Sequence, residues 1–476
     1  MNRYKKLLSN TAVFAAGQFL SKAMVYLLMP LYTAVLTKEQ SSAADMIQQV
    51  GNFLMPVAAL GLCEGILRFA MDSGVDGTDP VALKKKVFSS SMTVMFLSTL
   101  LFAALAPLAL LFGFDAGYVW LTVGFVVAAN LQMAVSYYVR SLGHTTVYAV
   151  QGIINTALTI AFNVIFLVWL RWGVTGFILA ITLANLLVSF ILIIWMKLWR
   201  DFEPGSVDRK TVKALLLYSL PLIPTTVMWS VTNITDKQIV ISSCGEAVNG
   251  MFVYSYKIPT VLTLITTIFV QAWQLSSVRD SDDRDRGDFF TRVFASYNGV
   301  IFMAASFLTA FTKPLTSLLL DESYFGAWEF IPVLIFATVF SAFATFTSTV
   351  YMVRKKSLPA FLTALAGASA NILLSLILAP FLGAQGVAAA TAASYILLFG
   401  IRAATAKKYV AFSVGVPRLV VNSLLLAGQC VIMVTGVKYW QVWQGVIFAA
   451  IVAFNAPGIL AAFRRIFRRS GGEGAV

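Results

Sequence analysis

The chain of 476 residues is poor in charged residues, in histidine and in cysteine. Charged residues make up 12% of it and hydrophobic residues 59%, with a mean hydropathy of +0.82. A soluble domain carries about 25% charged residues, so the composition excludes one. A single histidine and three cysteines without C-x-x-C spacing predict no metal site and no cofactor. No G-x-x-x-x-G-K-[ST] motif occurs, which argues against a protein that is driven by nucleotide hydrolysis.

Apolar stretches recur from end to end. Each is roughly 20 residues long, enough to cross about 30 Å of hydrocarbon. We therefore predict an all-α polytopic membrane protein with about fourteen transmembrane helices. The predicted spans are 8–35, 42–69, 87–112, 117–139, 147–170, 174–197, 213–240, 246–275, 289–312, 328–353, 359–382, 385–406, 418–436 and 440–463.

The net charge of +14 is gathered in alternate connectors. The basic clusters lie near the N-terminus and around residues 84–86, 140, 197–213, 279–292, 354–356, 402–418 and 464–469. The other connectors hold only Lys38, Arg171, Lys313 and Lys438. The positive-inside rule then predicts that both termini lie in the cytoplasm. Nucleic acid is not an expected partner.

Two parts of the chain repeat at a spacing of roughly 210 residues. Gly173-x-x-Gly176 recurs as Gly383-x-x-Gly386, and Tyr137-Tyr-Val-Arg140 as Tyr351-Met-Val-Arg354. Six spans per unit is an even number, so the repeats are parallel and substrate is expected between them. The predicted domains are a six-helix lobe at 1–204, a second six-helix lobe at 205–410, and two additional helices with a basic tail at 411–476.

Lys22 and Lys257 fall near the middle of predicted spans. A charge at the bilayer centre costs at least about 2.5–3.5 kcal/mol, and neither residue has a helix end within easy reach for snorkelling. We expect both to face a cavity and to bind an anionic group. Metal binding is not expected there.

Three carboxylates could pair with these cations or couple transport to an ion. Glu64 and Arg68 are spaced i, i+4, so mutual neutralisation is the alternative to function. Asp236 and Lys237 are adjacent and could be an interfacial pair. For Asp45 the sequence Ser42-Ala-Ala-Asp45 favours helix capping.

The eighth predicted span carries Tyr254, Tyr256 and Gln271. Aromatic and amide side chains on a cavity-facing helix suit sugar rings. At a membrane interface the same residue types form the ordinary aromatic belt.

Several segments resemble the Wzx-type polysaccharide flippases of the multidrug/oligosaccharidyl-lipid/polysaccharide (MOP) exporter superfamily. The segment Arg3–Thr37, which contains KKLLSNTAVFAAGQFLSKAMVYLLMPLYTAVLT, is similar to their opening span. So are LGLCEGILRFAMD, NITDKQIV, NGMFVYSYKIP and FVQAWQLSS at 60–72, 233–240, 249–259 and 269–277. One departure is Ser41-Ser-Ala-Ala-Asp45, where the family usually carries aromatic residues.

The resemblance implies two six-helix lobes of the MATE (multidrug and toxic compound extrusion) type around a basic cavity, plus two extra helices. It implies a polyprenyl-pyrophosphate-linked oligosaccharide as the flipped substrate, for cell-surface polysaccharide biosynthesis. Lys22, Arg68 and Lys257 would then bind its anionic head group. A coupling ion (H+ or Na+) and other polysaccharide-assembly proteins are the further partners it allows.

Three alternatives remain at this point. A drug/cation antiporter of the same superfamily would favour carboxylates over lysines in its cavity. A peptidoglycan lipid-precursor flippase would share the substrate chemistry. A membrane enzyme is disfavoured, because the outer connectors are short and histidine is nearly absent.

Overall fold

A computed structural model describes residues 26, 28–71, 80–279, 286–353 and 357–472. The described residues are almost entirely helical, and none of them is in a strand. The all-α class predicted from the apolar pattern is therefore confirmed. The chain divides into two compact units, Met1–Lys237 and Gln238–Val476. The lobe boundaries predicted from the repeat stay a prediction.

The first unit is built from consecutive helices joined by short turns. They are α1 (Met29–Val35), α2 (Lys38–Ala58), α3 (Leu62–Ala70), α4 (Pro80–Leu105), α5 (Ala116–Ser141), α6 (Thr145–Asn163), α7 (Gly173–Trp195), α8 (Arg209–Ser219) and most of α9 (Ile223–Cys244). A 3₁₀ segment extends α4 to Phe112, and a π-helical turn, Val164–Trp169, extends α6.

The second unit contains the remaining helices. They are α10 (Glu246–Ser255), α11 (Thr260–Arg279), α12 (Arg286–Ala310), α13 (Thr312–Leu319), α14 (Ile331–Val353), α15 (Ser357–Ala406), α16 (Val416–Thr435) and α17 (Trp440–Gly472). Within α15, Gly383 has a non-helical backbone (φ 58°, ψ −139°), so this element is two helices joined at a kink.

Eight helices in the described part of the chain are long and apolar enough to cross a membrane. The number rises to ten if each of two bent helix pairs is one span. The kinked α15 is counted once in this total although its 50 residues exceed what one crossing needs. The protein is thus a multi-pass membrane protein, and the figure of fourteen spans stays a prediction.

Each unit has its own packed core. In the first, Phe88 of α4 stacks on Tyr138 of α5 with ring centroids 4.1 Å apart. The second unit is richer in aromatic residues: Phe269 stacks on Tyr297 at 4.3 Å. Trp273 is 4% exposed there and donates its indole N–H to the Thr349 hydroxyl over 3.0 Å. Ring contacts and a buried hydrogen bond thus contribute to the packing of these helices, which inside a bilayer relies on van der Waals contact and hydrogen bonding.

The glycines singled out by the repeat have matching backbone conformations. Gly173 begins α7 with φ 51°, and Gly383 begins the second half of α15 with φ 58°. Positive φ is a region that glycine enters without steric cost. Three residues on, Gly176 and Gly386 both lie tight against the preceding span, where an added Cβ would meet atoms at 3.1 and 2.5 Å. The same turn is therefore built once in each unit, as the repeat predicts.

The last two helices are joined to α12 by buried amides. Asn422 on α16 donates to Asn455 on α17 over 3.1 Å and to Asn298 on α12 over 3.4 Å. Two turns away, Gln429 accepts from the Ser306 hydroxyl at 2.7 Å. Side-chain amides between membrane helices are worth on average about 0.6 kcal/mol each, so this ladder fixes the register of the α16–α17 pair within its unit.

Candidate functional site

The second predicted span is broken in the structure. α2 and α3 meet at an angle of 53°. The break is at Ala59–Gly61, where Leu60 and Gly61 both have positive φ (51° and 67°). A Cβ on Gly61 would lie 2.7 Å from the Ser219 carbonyl oxygen, so glycine is required by both the turn and the close approach of α8. Glu64 and Arg68 follow about one and two turns after this break.

The eighth predicted span is broken as well. α10 and α11 meet at 41°, across residues 256–259. Lys257 lies in this break, with a half-buried side chain. Its backbone N–H donates to the Tyr254 carbonyl over 3.0 Å, and its own carbonyl accepts from Thr260 over 3.2 Å. Pro259 cannot donate to the ladder and ends the regular bonding. A predicted mid-membrane lysine therefore falls where the helix is interrupted.

Asp45 and Lys237 form a buried ion pair that the sequence did not predict. The Lys237 ammonium donates to Asp45 Oδ2, and each side chain is 10% exposed. The capping role predicted for Asp45 is wrong. α2 begins at Lys38, and Thr37 caps it with Gln40 in a reciprocal capping box, so Asp45 lies two turns inside the helix. Its carboxylate is instead the counter-ion that lets Lys237 be buried.

Asp236, the neighbour of Lys237 on α9, is also buried, at 5% exposure. Glu64 is half-buried, and its carboxylate accepts a long hydrogen bond of 3.4 Å from the Tyr137 hydroxyl. Tyr137 in turn lies beside Tyr148, and Arg140 stacks over the Tyr148 ring at 5.3 Å. These contacts gather an acid, two phenols and a guanidinium at one end of α5.

The remaining predicted site residues are placed as follows. Arg68 is exposed near the end of α3. Tyr254 is 6% exposed and packs edge-on against Tyr324, with centroids 5.2 Å apart. Tyr256 is half-buried and packs edge-on against Phe252. Gln271 lies on α11, and Lys22 lies outside the described residues. Their roles in binding stay predictions.

Arg402 is a buried charge that the sequence did not reveal. It was counted with the surface charges of residues 402–418, but it is 7% exposed. Its guanidinium donates to the Ala344 carbonyl at 2.8 Å and to the Thr363 hydroxyl at 3.2 Å. Arginine can satisfy several carbonyl and hydroxyl acceptors with one planar fork, and so ties α14 to both halves of α15. Its position after an apolar run made it look like a flanking charge.

No group of three or more metal-ligating side chains occurs among the described residues. The candidate site is instead a set of charged side chains near the two helix breaks, together with the buried ion pair of Asp45 and Lys237. Broken spans with charges beside them are the arrangement by which many secondary transporters bind ionic substrates. The architecture thus defines a multi-pass α-helical membrane protein.

A family model described as polysaccharide biosynthesis protein matches residues 7–274. The match covers more than half of the chain, and the chain belongs to this family. No curated protein matches it significantly.

Solved structures extend the comparison beyond residue 274. The lipid II flippase MurJ, in an inward closed conformation, has a TM-score of 0.70 at 15% identity, covering 96% of this chain and 99% of that one. An inward-facing multidrug resistance MATE family transporter of the MOP superfamily has a TM-score of 0.67 at 15% identity, covering 82% and 95%. An outward-facing MATE family transporter of that superfamily gives 0.59 at 15%, covering 86% and 96%. The MATE-like fold predicted from the sequence is confirmed.

Proposed function

We propose that the protein flips a polyprenyl-pyrophosphate-linked oligosaccharide from the cytoplasmic to the outer leaflet of a bacterial inner membrane, with both termini in the cytoplasm. The observation that carries the proposal is the pair of broken spans. The second span of each predicted six-span repeat is interrupted, at 59–61 and at 256–259. Interrupted helices in corresponding positions of two repeats are the best pointer to a transporter's binding site.

The sign of the charges selects an anionic substrate. Lys257 lies in one break, and Arg68 follows the other by two turns. With Lys22 they would supply a basic central cavity for a head group that bears at least two negative charges. A pyrophosphate cannot enter hydrocarbon alone, whereas paired with fixed cations it can occupy a polar cavity. The lipid tail would remain in the bilayer, and alternating access would expose the head group to each side in turn.

The carboxylates are assigned a separate role. Glu64, Asp236 and the Asp45–Lys237 pair are the groups we expect to couple flipping to H+ or Na+, or to pair internally. An intramembrane ionisable group is a functional candidate by default. The Tyr254, Tyr256 and Gln271 side chains are assigned to sugar contacts. No enzymatic step and no cofactor is proposed, and other polysaccharide-assembly proteins would supply and consume the substrate.

The family supports a role in polysaccharide assembly. The fold, however, is shared by proteins that act on two other classes of substrate. The MurJ structure is of a lipid II flippase, and the MATE structures are of multidrug resistance transporters. A peptidoglycan lipid precursor and cationic drugs are therefore the alternatives. Lys257, which lies in the second break, favours either anionic lipid over a cation.

A leaflet-resolved assay in proteoliposomes distinguishes the three. The purified protein is tested against a polyprenyl-pyrophosphate-linked oligosaccharide, a peptidoglycan lipid precursor and a cationic dye. The proposal expects protein-dependent movement of the first and none of the dye. Movement of the dye alone would assign the protein to drug export, and movement of the peptidoglycan precursor alone would assign it to cell-wall synthesis.

A further inference from the structure

The first unit contains an apolar cleft of about 630 Å³. α4 forms one wall, from Phe88 to Thr99, and α5 and α7 also line the cleft. Leu198, Trp199 and Phe202, in the connector that follows α7, line one end. The volume is within the range of sites for single small ligands, roughly 300–1,000 Å³.

The length of the cleft matches one leaflet. Thr99 lies eleven positions after Phe88, which at a rise of 1.5 Å per residue is about 17 Å along the helix. The hydrocarbon core of a bilayer is about 30 Å thick, so the cleft spans close to half of it. An extended acyl chain of an ordinary phospholipid has this reach. A polyprenyl tail is longer than a leaflet is deep and does not match it.

The end of the cleft that this connector lines is charged. Lys197 and Arg200 bracket the lining residues Leu198 and Trp199, and both are exposed. Trp199 is 51% exposed there, where an amphipathic indole suits the head-group layer.

Every carboxylate of this connector already has a protein partner. Glu203 is paired with Lys85 at 2.9 Å, and Asp208 with Lys86 at 3.1 Å. Asp201 accepts from the Tyr138 hydroxyl at 3.1 Å. In contrast, no described residue forms an ion pair with Lys197 or Arg200. The connector therefore presents two exposed cations, neither in an ion pair with a described residue, at one end of an apolar cleft of leaflet depth.

We propose that this cleft is a binding site for an anionic phospholipid, with one acyl chain along α4 and the head-group phosphate at Lys197 and Arg200. The site is independent of the proposed transport cavity, because none of the residues assigned to that cavity lines it. Bound lipid would cover the apolar wall of α4 and neutralise the connector. The inference concerns a resident lipid and not the transported one.

Photo-crosslinking in proteoliposomes tests the site. The probes are phosphatidylglycerol and phosphatidylcholine, each carrying a diazirine on one acyl chain, and labelled residues are mapped by mass spectrometry. The parent protein should be labelled at 88–99 and 198–204, and more strongly by phosphatidylglycerol. Replacing the cleft-lining threonines by Trp (Thr93→Trp with Thr99→Trp) should abolish labelling there. Leu373→Trp, at a 60% exposed position on α15, is the matched control and should leave it unchanged.

The charge is tested separately from the cleft. One basic residue near an anionic surface changes lipid affinity about fivefold, so Lys197→Gln and Arg200→Gln should each lower the preference for phosphatidylglycerol by about that factor. Lys407→Gln with Lys408→Gln, also exposed, is the control and should not. Equal labelling by the two lipids in the parent, or unchanged labelling after Thr93→Trp with Thr99→Trp, would overturn the proposal. Displacement of the label by a polyprenyl phosphate but not by phosphatidylglycerol would overturn it too. Flipping activity is not the readout, so failure of the proposed function would leave this result standing.

Discussion

Lys237 donates a hydrogen bond to Asp45, 192 residues earlier in the chain, and both side chains are nine-tenths buried. The pair lies between α2 and α9, two turns inside α2. Two charges removed from water together are tolerated when each is the other's partner. Either one alone would be an uncompensated charge in a membrane protein interior.

Removing one charge of this pair should therefore lower the free energy of unfolding strongly, whereas removing both charges together should lower it little. Lys237→Met leaves a buried carboxylate and is expected to lower the free energy of unfolding by about 3–5 kcal/mol. Asp45→Leu combined with Lys237→Met is expected to restore most of it. Thermal unfolding in detergent measures both. An additive loss in the double variant would show that the two residues are not coupled.

The glycine at the kink of α15 is required by its backbone conformation. Gly383→Ala forces φ near 58° on an L residue and places a Cβ 2.9 Å from Cys244 Sγ, so we expect a loss of about 1–2 kcal/mol. Gly400 is the control, because it lies in the same helix with open space around it. Gly400→Ala should be neutral or stabilising by about 0.5–1 kcal/mol. Equal effects at the two positions would contradict the assignment.

Lys313 lies between two indole rings. Its ammonium is 4.0 Å from the Trp328 ring centroid and 4.4 Å from that of Trp440. The three residues join α13, the 3₁₀ segment Glu322–Glu329 and the start of α17. Lys313→Met keeps the length but removes the charge, and we expect a loss of about 1 kcal/mol with a change in tryptophan fluorescence. Lys313→Arg should retain most of the stability; if Lys313→Met matches the parent, the ring contacts contribute only packing.

The charged connector after α7 gives a pH dependence. The Lys86 ammonium, helped by the Thr211 backbone N–H, lowers the pKa of Asp208 from 3.8 to about 2. A carboxyl whose pKa is lowered in the folded state stabilises the protein above its unfolded pKa and loses that effect as the pH falls. The stability difference between the parent and Asp208→Asn should be constant from about pH 7 to pH 5 and fall by about half at pH 3. A difference that grows on acidification would contradict the ion pair.

The sequence was sufficient for the helical class and the membrane character, because apolar runs of span length have no other stable form in lipid. It was also sufficient for the pairing of Gly173 with Gly383, since a position that needs positive φ selects glycine in both repeats. It placed Lys257 in the right span, but it did not reveal that the span is broken there.

Two long-range features could not be predicted from local pattern. Asp45 looked like a capping residue, because its partner Lys237 is far away in sequence and no local rule connects them. Arg402 looked like a flanking charge, because its acceptors, Ala344 and Thr363, belong to other turns of the bundle. In both cases the role of a charged residue was inferred from its neighbours in sequence, whereas its burial is decided by tertiary packing.

The central claim is that basic residues at the broken spans bind an anionic head group. The most direct measurement is the flipping rate of a polyprenyl-pyrophosphate-linked oligosaccharide in proteoliposomes for Lys257→Ala, Lys257→Arg and the exposed control Lys408→Ala. An interaction with a charged group in a dry site is worth about 1.5–3 kcal/mol, so Lys257→Ala should slow flipping at least about tenfold. Lys257→Arg should recover much of the rate, and Lys408→Ala should match the parent. Flipping at the parental rate by Lys257→Ala, in protein that unfolds at the parental temperature, would contradict the claim.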